Sequence, residues 1–210
     1  DAPTVGRPST ALLTDKYELT MIRAALADGT ADRSCVFEVF ARRLATGRRY
    51  GVVGGTGRLL ERLVDFRFSD EEIDVVADAL DDRTVEWLRN YRFTGDIDGY
   101  AEGELFFPGS PVLSIRGGFA ECVVLETLVL SILNHDSAIA SAAARMTSAA
   151  AGRPIIEMGS RRTHEEAAVA AARVSYLAGF TSTSNMEATR RHGVPSAGTS
   201  AHAFTLLHTG

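Results

Sequence analysis

Pro154-Ile155-Ile156-Glu157-Met158-Gly159-Ser160-Arg161-Arg162-Thr163-His164-Glu165-Glu166 sets a pattern that the rest of the chain repeats. Ile155, Ile156 and Met158 predict a short strand that ends in small and basic residues. Thr163-x-x-Glu166 then predicts a capped helix of about four turns. Gly179 and Phe180 lead to a second brief strand ending in Ser182-Thr183-Ser184-Asn185, where Ser184-x-x-Glu187 caps a helix closed by Gly193. A third unit starts at Val194-Pro195-Ser196-Ala197-Gly198-Thr199-Ser200-Ala201-His202-Ala203-Phe204, with a hydroxyl and an imidazole three positions apart as a helix begins. Strand–helix units of roughly 20 to 30 residues in succession imply parallel pairing, in an open sheet or a (β/α) barrel. The polar residues gather where a strand ends and a helix begins, and in such folds that rim holds the chemistry.

Upstream the signals differ. Asp15-x-x-Glu18 resembles a helix start, and Tyr17, Met21, Ala24 and Ala25 continue a helix that stops near Gly29. Cys35 to Phe40 and Tyr50 to Val53 read as strands. Leu59, Leu60, Leu63 and Val64 form a helical stripe after Gly54-Gly55, and Ser69-x-x-Glu72 caps a helix reaching about Leu80. Between 95 and 117, glycines and prolines interrupt branched and aromatic residues, which predicts two or three short antiparallel strands. An apolar helix through Leu133 and an alanine-rich one from about Ser137 follow, with Asn134-His135-Asp136 as the expected break or kink. The expected division is an N-terminal α/β domain, α+β-like, at 1–135, and the first βα units of a (β/α) barrel at 136–210. Three units cannot close a barrel of eight strands, and the chain stops at Gly210, so the expectation is an N-terminal portion of a longer protein.

The bulk composition narrows the function. A chain that is 45% hydrophobic and 23% charged is of ordinary globular type. No apolar run approaches the roughly 20 residues of a membrane span, and Asp1 to Thr20 lacks a charged-then-apolar pattern, so the expectation is a protein that is not secreted. Cys35 and Cys122, the only cysteines, read as small buried hydrophobes in a reducing compartment, with a disulfide the less favoured choice. A net charge of −5 argues against a nucleic-acid surface, so any phosphate must be held by local arginines and helix ends.

Three corners carry candidate chemistry. Arg161 and Arg162 offer planar cationic forks for a carboxylate or phosphate, against the plainer reading that they pair with Glu157, Glu165 or Glu166. Thr183, Ser184 and Asn185 supply hydroxyls, an amide and N–H donors suited to sugar or phosphate oxygens, whereas capping by Ser184 accounts for one of them alone. His202 stands at a helix start, where an imidazole acts as acid, base or nucleophile near neutral pH. His192 needs only the helix C-terminus it precedes, His164 falls in a first helical turn, and no zinc-ligand spacing or phosphate-binding loop with a lysine occurs. Gly54-Gly55-Thr56-Gly57 reads as a turn. Tyr17 is either a core aromatic or a flat surface for a ring substrate.

Taken in order, several segments resemble the nicotinate phosphoribosyltransferase family. They are Leu12-Leu13-Thr14-Asp15-Lys16-Tyr17-Glu18-Leu19-Thr20-Met21, Gly103-Glu104-Leu105-Phe106-Phe107-Pro108-Gly109, Leu125-Glu126-Thr127 with Leu133-Asn134, Glu157-Met158-Gly159-Ser160-Arg161-Arg162 with Thr163-His164-Glu165, Gly179-Phe180 with Thr183-Ser184-Asn185, and Gly198-Thr199-Ser200-Ala201-His202. The resemblance implies a type II phosphoribosyltransferase fold and a reaction joining nicotinate to 5-phosphoribosyl 1-diphosphate, with coupled ATP hydrolysis and Mg2+, in NAD salvage. It implies that His202 is phosphorylated by ATP, and that Tyr17 and Thr199 contact nicotinate, Tyr17 across a homodimer interface. Arg161, with Arg162 beside it, is the expected partner of the nicotinate carboxylate. A cytoplasmic enzyme without nucleic-acid or membrane partners is the implied setting. Lys16 departs from the apolar residue expected between Asp15 and Tyr17. The remaining readings are a sister enzyme acting on quinolinate or nicotinamide, and a non-catalytic ligand-binding fragment.

Overall fold

The computed structural model describes residues 9–208. Helix α1 (Lys16–Asp28) buries Leu19, Ile22, Ala25 and Leu26, an i, i+3, i+4 stripe, and ends at Gly29, whose left-handed backbone sends its N–H to the Ala25 carbonyl. Strand β1 (Ser34–Phe40) follows, then the two-residue β2 (Gly51–Val52), α2 (Thr56–Val64), α3 (Asp70–Ala77) and α4 (Asp82–Arg89). Ser69 caps α3 through the complete reciprocal box with Glu72. Helix α4, capped by Asp81, was not anticipated: its apolar contribution is the short Val85, Trp87 and Leu88 set amid charged residues.

Strands β3 (Asp96–Gly99), β4 (Leu105–Phe106) and β5 (Pro111–Gly118) complete two antiparallel sheets, β1-β5-β3 and β2-β4. The antiparallel strands expected between 95 and 117 are therefore present. Short α5 (Phe119–Val123) and the long α6 (Glu126–Ala150) close the core, where Leu59, Leu88, Leu113, Ile115, Leu125, Leu128, Val129, Ile132 and Leu133 pack together.

Two expectations about this region need correction. The chain bends at Val124-Leu125, and α6 runs unbroken through Asn134-His135-Asp136. Asp136 does not break the helix because its fully buried carboxylate accepts two hydrogen bonds from Arg58, at 3.0 and 2.8 Å, and one contact from His135 at 2.8 Å. Secondly, the helical stretch Phe119–Ala150 is long and apolar enough to cross a membrane by length and composition. Half of its most apolar 18-residue segment is buried, with Leu128, Val129, Ile132 and Leu133 in the central cluster, which makes it a core helix.

The parallel part follows: β6 (Ile156–Glu157), α7 (Glu165–Leu177), β7 (Ser182–Thr183), α8 (Met186–His192) and α9 (His202–Leu207). β6 and β7 pair in parallel, and Thr183 forms a further parallel bridge to Ser196. Successive parallel βα units, together with the antiparallel N-terminal part, place the chain in the α/β class. Two caps shift by one residue: α7 starts after His164 rather than Thr163, and Asn185, not Ser184, caps α8 by accepting from the Ala188 N–H at 3.0 Å.

The Gly54-Gly55-Thr56-Gly57 turn joins the two parts. Gly55 has φ +95°, and a Cβ there would lie 2.9 Å from the Asp136 Cβ. A Cβ on Gly57 would lie 2.9 Å from both Arg173 Nη2 and Glu102 Oε2. The turn thus lets α2 start against a bidentate ion pair, Arg173 Nη1 to Glu102 Oε1 at 2.8 Å and Nη2 to Oε2 at 2.7 Å, with the Gly55 N–H donating to Glu102 at 2.6 Å. Gly55→Ala combines a positive φ with a steric overlap, and is expected to lower stability by about 2 kcal/mol or more, read by chemical denaturation.

Glu102 and Arg173 expose only 14% and 17% of their side chains, so the pair is a partly desolvated one. Burial alone would raise the Glu102 carboxyl, but the Arg173 hydrogen bonds and charge, with the Gly55 and Gly57 N–H groups, hold it below 4.5. Its stabilisation is therefore complete above that ordinary value and is lost as pH falls through the lower native one. Glu102→Gln removes the hydrogen-bonded counter-charge of Arg173: an expected loss of about 3 kcal/mol at pH 7. The difference from wild type should narrow in melting curves recorded below pH 4.

Candidate functional site

The parallel register brings three strand-to-helix corners to one edge. Ser184 N–H donates to the Glu157 carbonyl at 2.9 Å, joining the ends of β6 and β7. Thr183 N–H donates to the Pro195 carbonyl and Ala197 N–H to the Thr183 carbonyl, both at 2.9 Å, which fixes the third segment beside β7. The chain leaving each of these segments therefore starts from the same edge: 158–164 carries Arg161 and Arg162, 184–185 carries Ser184 and Asn185, and 197–201 carries Thr199 and leads into His202.

Beneath that edge lies a buried polar brace. Glu157, 9% exposed, accepts from the Thr183 hydroxyl at 2.7 Å and from the Gly159 N–H. The Thr183 oxygen in turn accepts from the Asn185 N–H at 3.0 Å. Asn185 spans the gap, its Oδ1 capping α8 and its Nδ2 donating to Ser160 Oγ at 3.1 Å. Thr183 is fully buried with its hydroxyl engaged on both sides, so its part in this arrangement is to hold the two corners together. Glu157 was weighed only as a partner for arginine. The signal for its real role was its place at a strand end, in register with a buried threonine.

The outward groups are Arg161, Arg162, Ser184, Thr199 and His202, all exposed. None of the three glutamates considered as partners meets the arginines. Glu157 is taken by Thr183, Glu165 by His164 at 3.5 Å, and Glu166 by Arg191 at 2.6 Å. Among the described residues Arg161 and Arg162 have no ion-pair partner. The Thr199 hydroxyl lies 3.4 Å from the Ser200 carbonyl. His202 is the first residue of α9, immediately after its N-cap Ala201. An edge with two guanidinium groups lacking an acidic partner, exposed hydroxyls, an imidazole and a helix start suits an anionic, oxygen-rich ligand.

Tyr17 stands elsewhere. It lies in the first turn of α1, which packs against α4 and α5, and its hydroxyl donates to Glu126 Oε1 at 3.0 Å. Partial burial, then the bond to the Glu126 carboxylate, push its phenol up to about 12, so it stays neutral across physiological pH. The residue remains 44% exposed. Beside it, Glu18 does not complete a capping box: it is buried, and its Oε1 accepts the Thr127 N–H at 2.9 Å and the Thr127 hydroxyl at 2.6 Å. Together these contacts pin the start of α1 to the start of α6. No hydrogen bond or ring contact among the described residues joins Tyr17 to the three-cornered edge.

An α/β chain whose parallel units present arginines, hydroxyls and a histidine at one strand-end edge has the make-up of a protein that handles phosphorylated ligands. Residues 12–134 match the nicotinate phosphoribosyltransferase N-terminal domain, more than half of the chain. This chain belongs to the nicotinate phosphoribosyltransferase family. It is 73% identical over 197 residues to nicotinate phosphoribosyltransferase pncB1 of Mycobacterium tuberculosis, covering 94% of this chain and 44% of that protein. To pncB2 of the same organism it is 41% identical over 200 residues, covering 92% and 42%. The crystal structure of human nicotinic acid phosphoribosyltransferase superposes with a TM-score of 0.85 at 33% identity, covering 92% of this chain and 40% of that one. The chain thus spans less than half the length of these relatives.

Proposed function

We propose that this chain forms part of an enzyme that joins nicotinate to 5-phosphoribosyl 1-diphosphate, yielding nicotinate mononucleotide and diphosphate on a route to NAD. The observation that carries the reading is the 73% identity to a relative of that name across 94% of the chain.

In this reading Arg161 receives the nicotinate carboxylate, with Arg162 beside it, and Thr199 and Ser184 bond oxygens of the substrates. Asn185 and Thr183 keep the corners in place, since their polar atoms are already engaged. An arginine facing a carboxylate separates nicotinate from nicotinamide, because the amide leaves the guanidinium unpaired. Tyr17 stacks on the pyridine ring from a second copy of the chain, a role supported by its exposed ring and its separation from the edge within one copy. His202 attacks the γ-phosphorus of ATP through a ring nitrogen: the N–P bond forms as the bond to the bridging oxygen breaks, and ADP leaves. The phosphoryl group then adds negative charge at the start of α9. The family resemblance also implies Mg2+. No three His, Cys, Asp or Glu among the described residues converge on a metal position. The proposed division into residues 1–135 and 136–210 cuts α6, which both parts share. A cytoplasmic enzyme is the matching setting.

The test is product formation by the full-length protein from nicotinate, quinolinate or nicotinamide, each with and without ATP. Nicotinate turnover stimulated by ATP supports the reading; turnover of another pyridine in its place overturns it.

A further inference from the structure

Gly117 brings two sulfur atoms together. Cys35 in β1 pairs directly across the sheet with Gly117 in β5, so the Cys35 side chain and the missing Gly117 side chain would share one face. Cys35 Sγ lies 3.6 Å from the Gly117 carbonyl oxygen. From the first turn of α5, Cys122 Sγ fills the space above Gly117, 3.1 Å from where a Cβ would stand. Both sulfurs therefore lie against the same glycine, one at its carbonyl and one at its bare α-carbon. Both are free, Cys122 buried and Cys35 half-buried.

We propose that Cys35 and Cys122 form a redox modification site, a dithiol that hydrogen peroxide converts to a disulfide tying β1 to α5. Cys35, the more accessible sulfur, attacks one peroxide oxygen as its thiolate. An S–O bond forms, the O–O bond breaks, and the released hydroxide takes a proton to leave as water. Cys122 then loses its proton and attacks the Cys35 sulfur; the S–S bond forms, the S–O bond breaks, and a second water departs. Two thiols have given two electrons and two protons to one peroxide. Burial, and then the neighbouring Cys35 sulfur, push the Cys122 thiol above its ordinary range, which keeps it from reacting before its partner does. A dithiol reductant returns the pair to thiols by exchange: its thiolate attacks one sulfur, the Cys35–Cys122 bond breaks, and the reductant leaves as its own disulfide.

The experiment exposes the full chain to hydrogen peroxide, unfolds it, alkylates remaining thiols with N-ethylmaleimide and maps the peptides by mass. The expected product is a Cys35–Cys122 crosslink within one chain, lighter by two hydrogens, unalkylated, and reversed by dithiothreitol. Cys35→Ser should abolish the crosslink and leave Cys122 a thiol that alkylates only after unfolding. Gly117→Ala, whose Cβ intrudes on Cys122, should cut the crosslinked fraction by roughly tenfold. Two alkylated cysteines after peroxide, oxygen adducts on Cys35 beside an alkylated Cys122, or a crosslink only between two copies would overturn the proposal.

Discussion

His202→Ala in the full-length protein is expected to take up no acid-labile label from γ-labelled ATP, while wild type becomes labelled. Neighbouring residues cannot substitute. His164, the histidine of the adjoining corner, is the N-cap of α7 and contacts Glu165, whereas His202 opens α9 on the third segment. Turnover with ATP present should fall by on the order of 100-fold, the range for losing one positioned catalytic side chain. Turnover without ATP should change little, because in the proposed role His202 accepts a phosphoryl group and makes none of the assigned substrate contacts. The helix itself survives the change, since alanine is the best helix former. Equal labelling of both proteins would remove His202 from this role.

The second large effect concerns Arg161. Its guanidinium is exposed at the edge with no acidic partner among the described residues, so its replacement costs the fold little and the ligand much. Arg161→Ala should lower kcat/KM for nicotinate by roughly 100-fold or more, chiefly through KM, and lower discrimination against nicotinamide by a similar factor. Arg161→Lys should recover only part of the loss, because a single ammonium cannot reproduce the planar two-point contact. Melting temperatures within a few degrees of wild type would accompany both variants. A variant that loses stability in proportion to activity would mean that Arg161 holds the corner together instead.

Local signals carried most of the architecture. The strand-to-helix repeats from Pro154 onward announced the parallel pairing, because their periodicity changes within a few residues and the caps punctuate it. What escaped was set by contacts distant in sequence. Asp136 looked like a helix breaker until Arg58, 78 positions away, satisfied it. Glu18 looked like the end of a capping box, yet it serves Thr127, 109 positions on. The glycine-rich turn read as mere punctuation, whereas it clears room for Asp136 and for the Glu102–Arg173 pair. At the edge, the arginines and His202 were legible as residue types at strand ends. That Thr183 and Asn185 spend their polar atoms on one another's corners was not, because only the register decides it.

A crystal structure of the full-length protein with nicotinate should show the pyridine at the edge formed after β6, β7 and Ser196, its carboxylate paired with Arg161 and His202 facing the same space. Nicotinate seated away from that edge, for instance in the polar cleft of about 350 Å³ beside Trp87 and Tyr91, would contradict that placement.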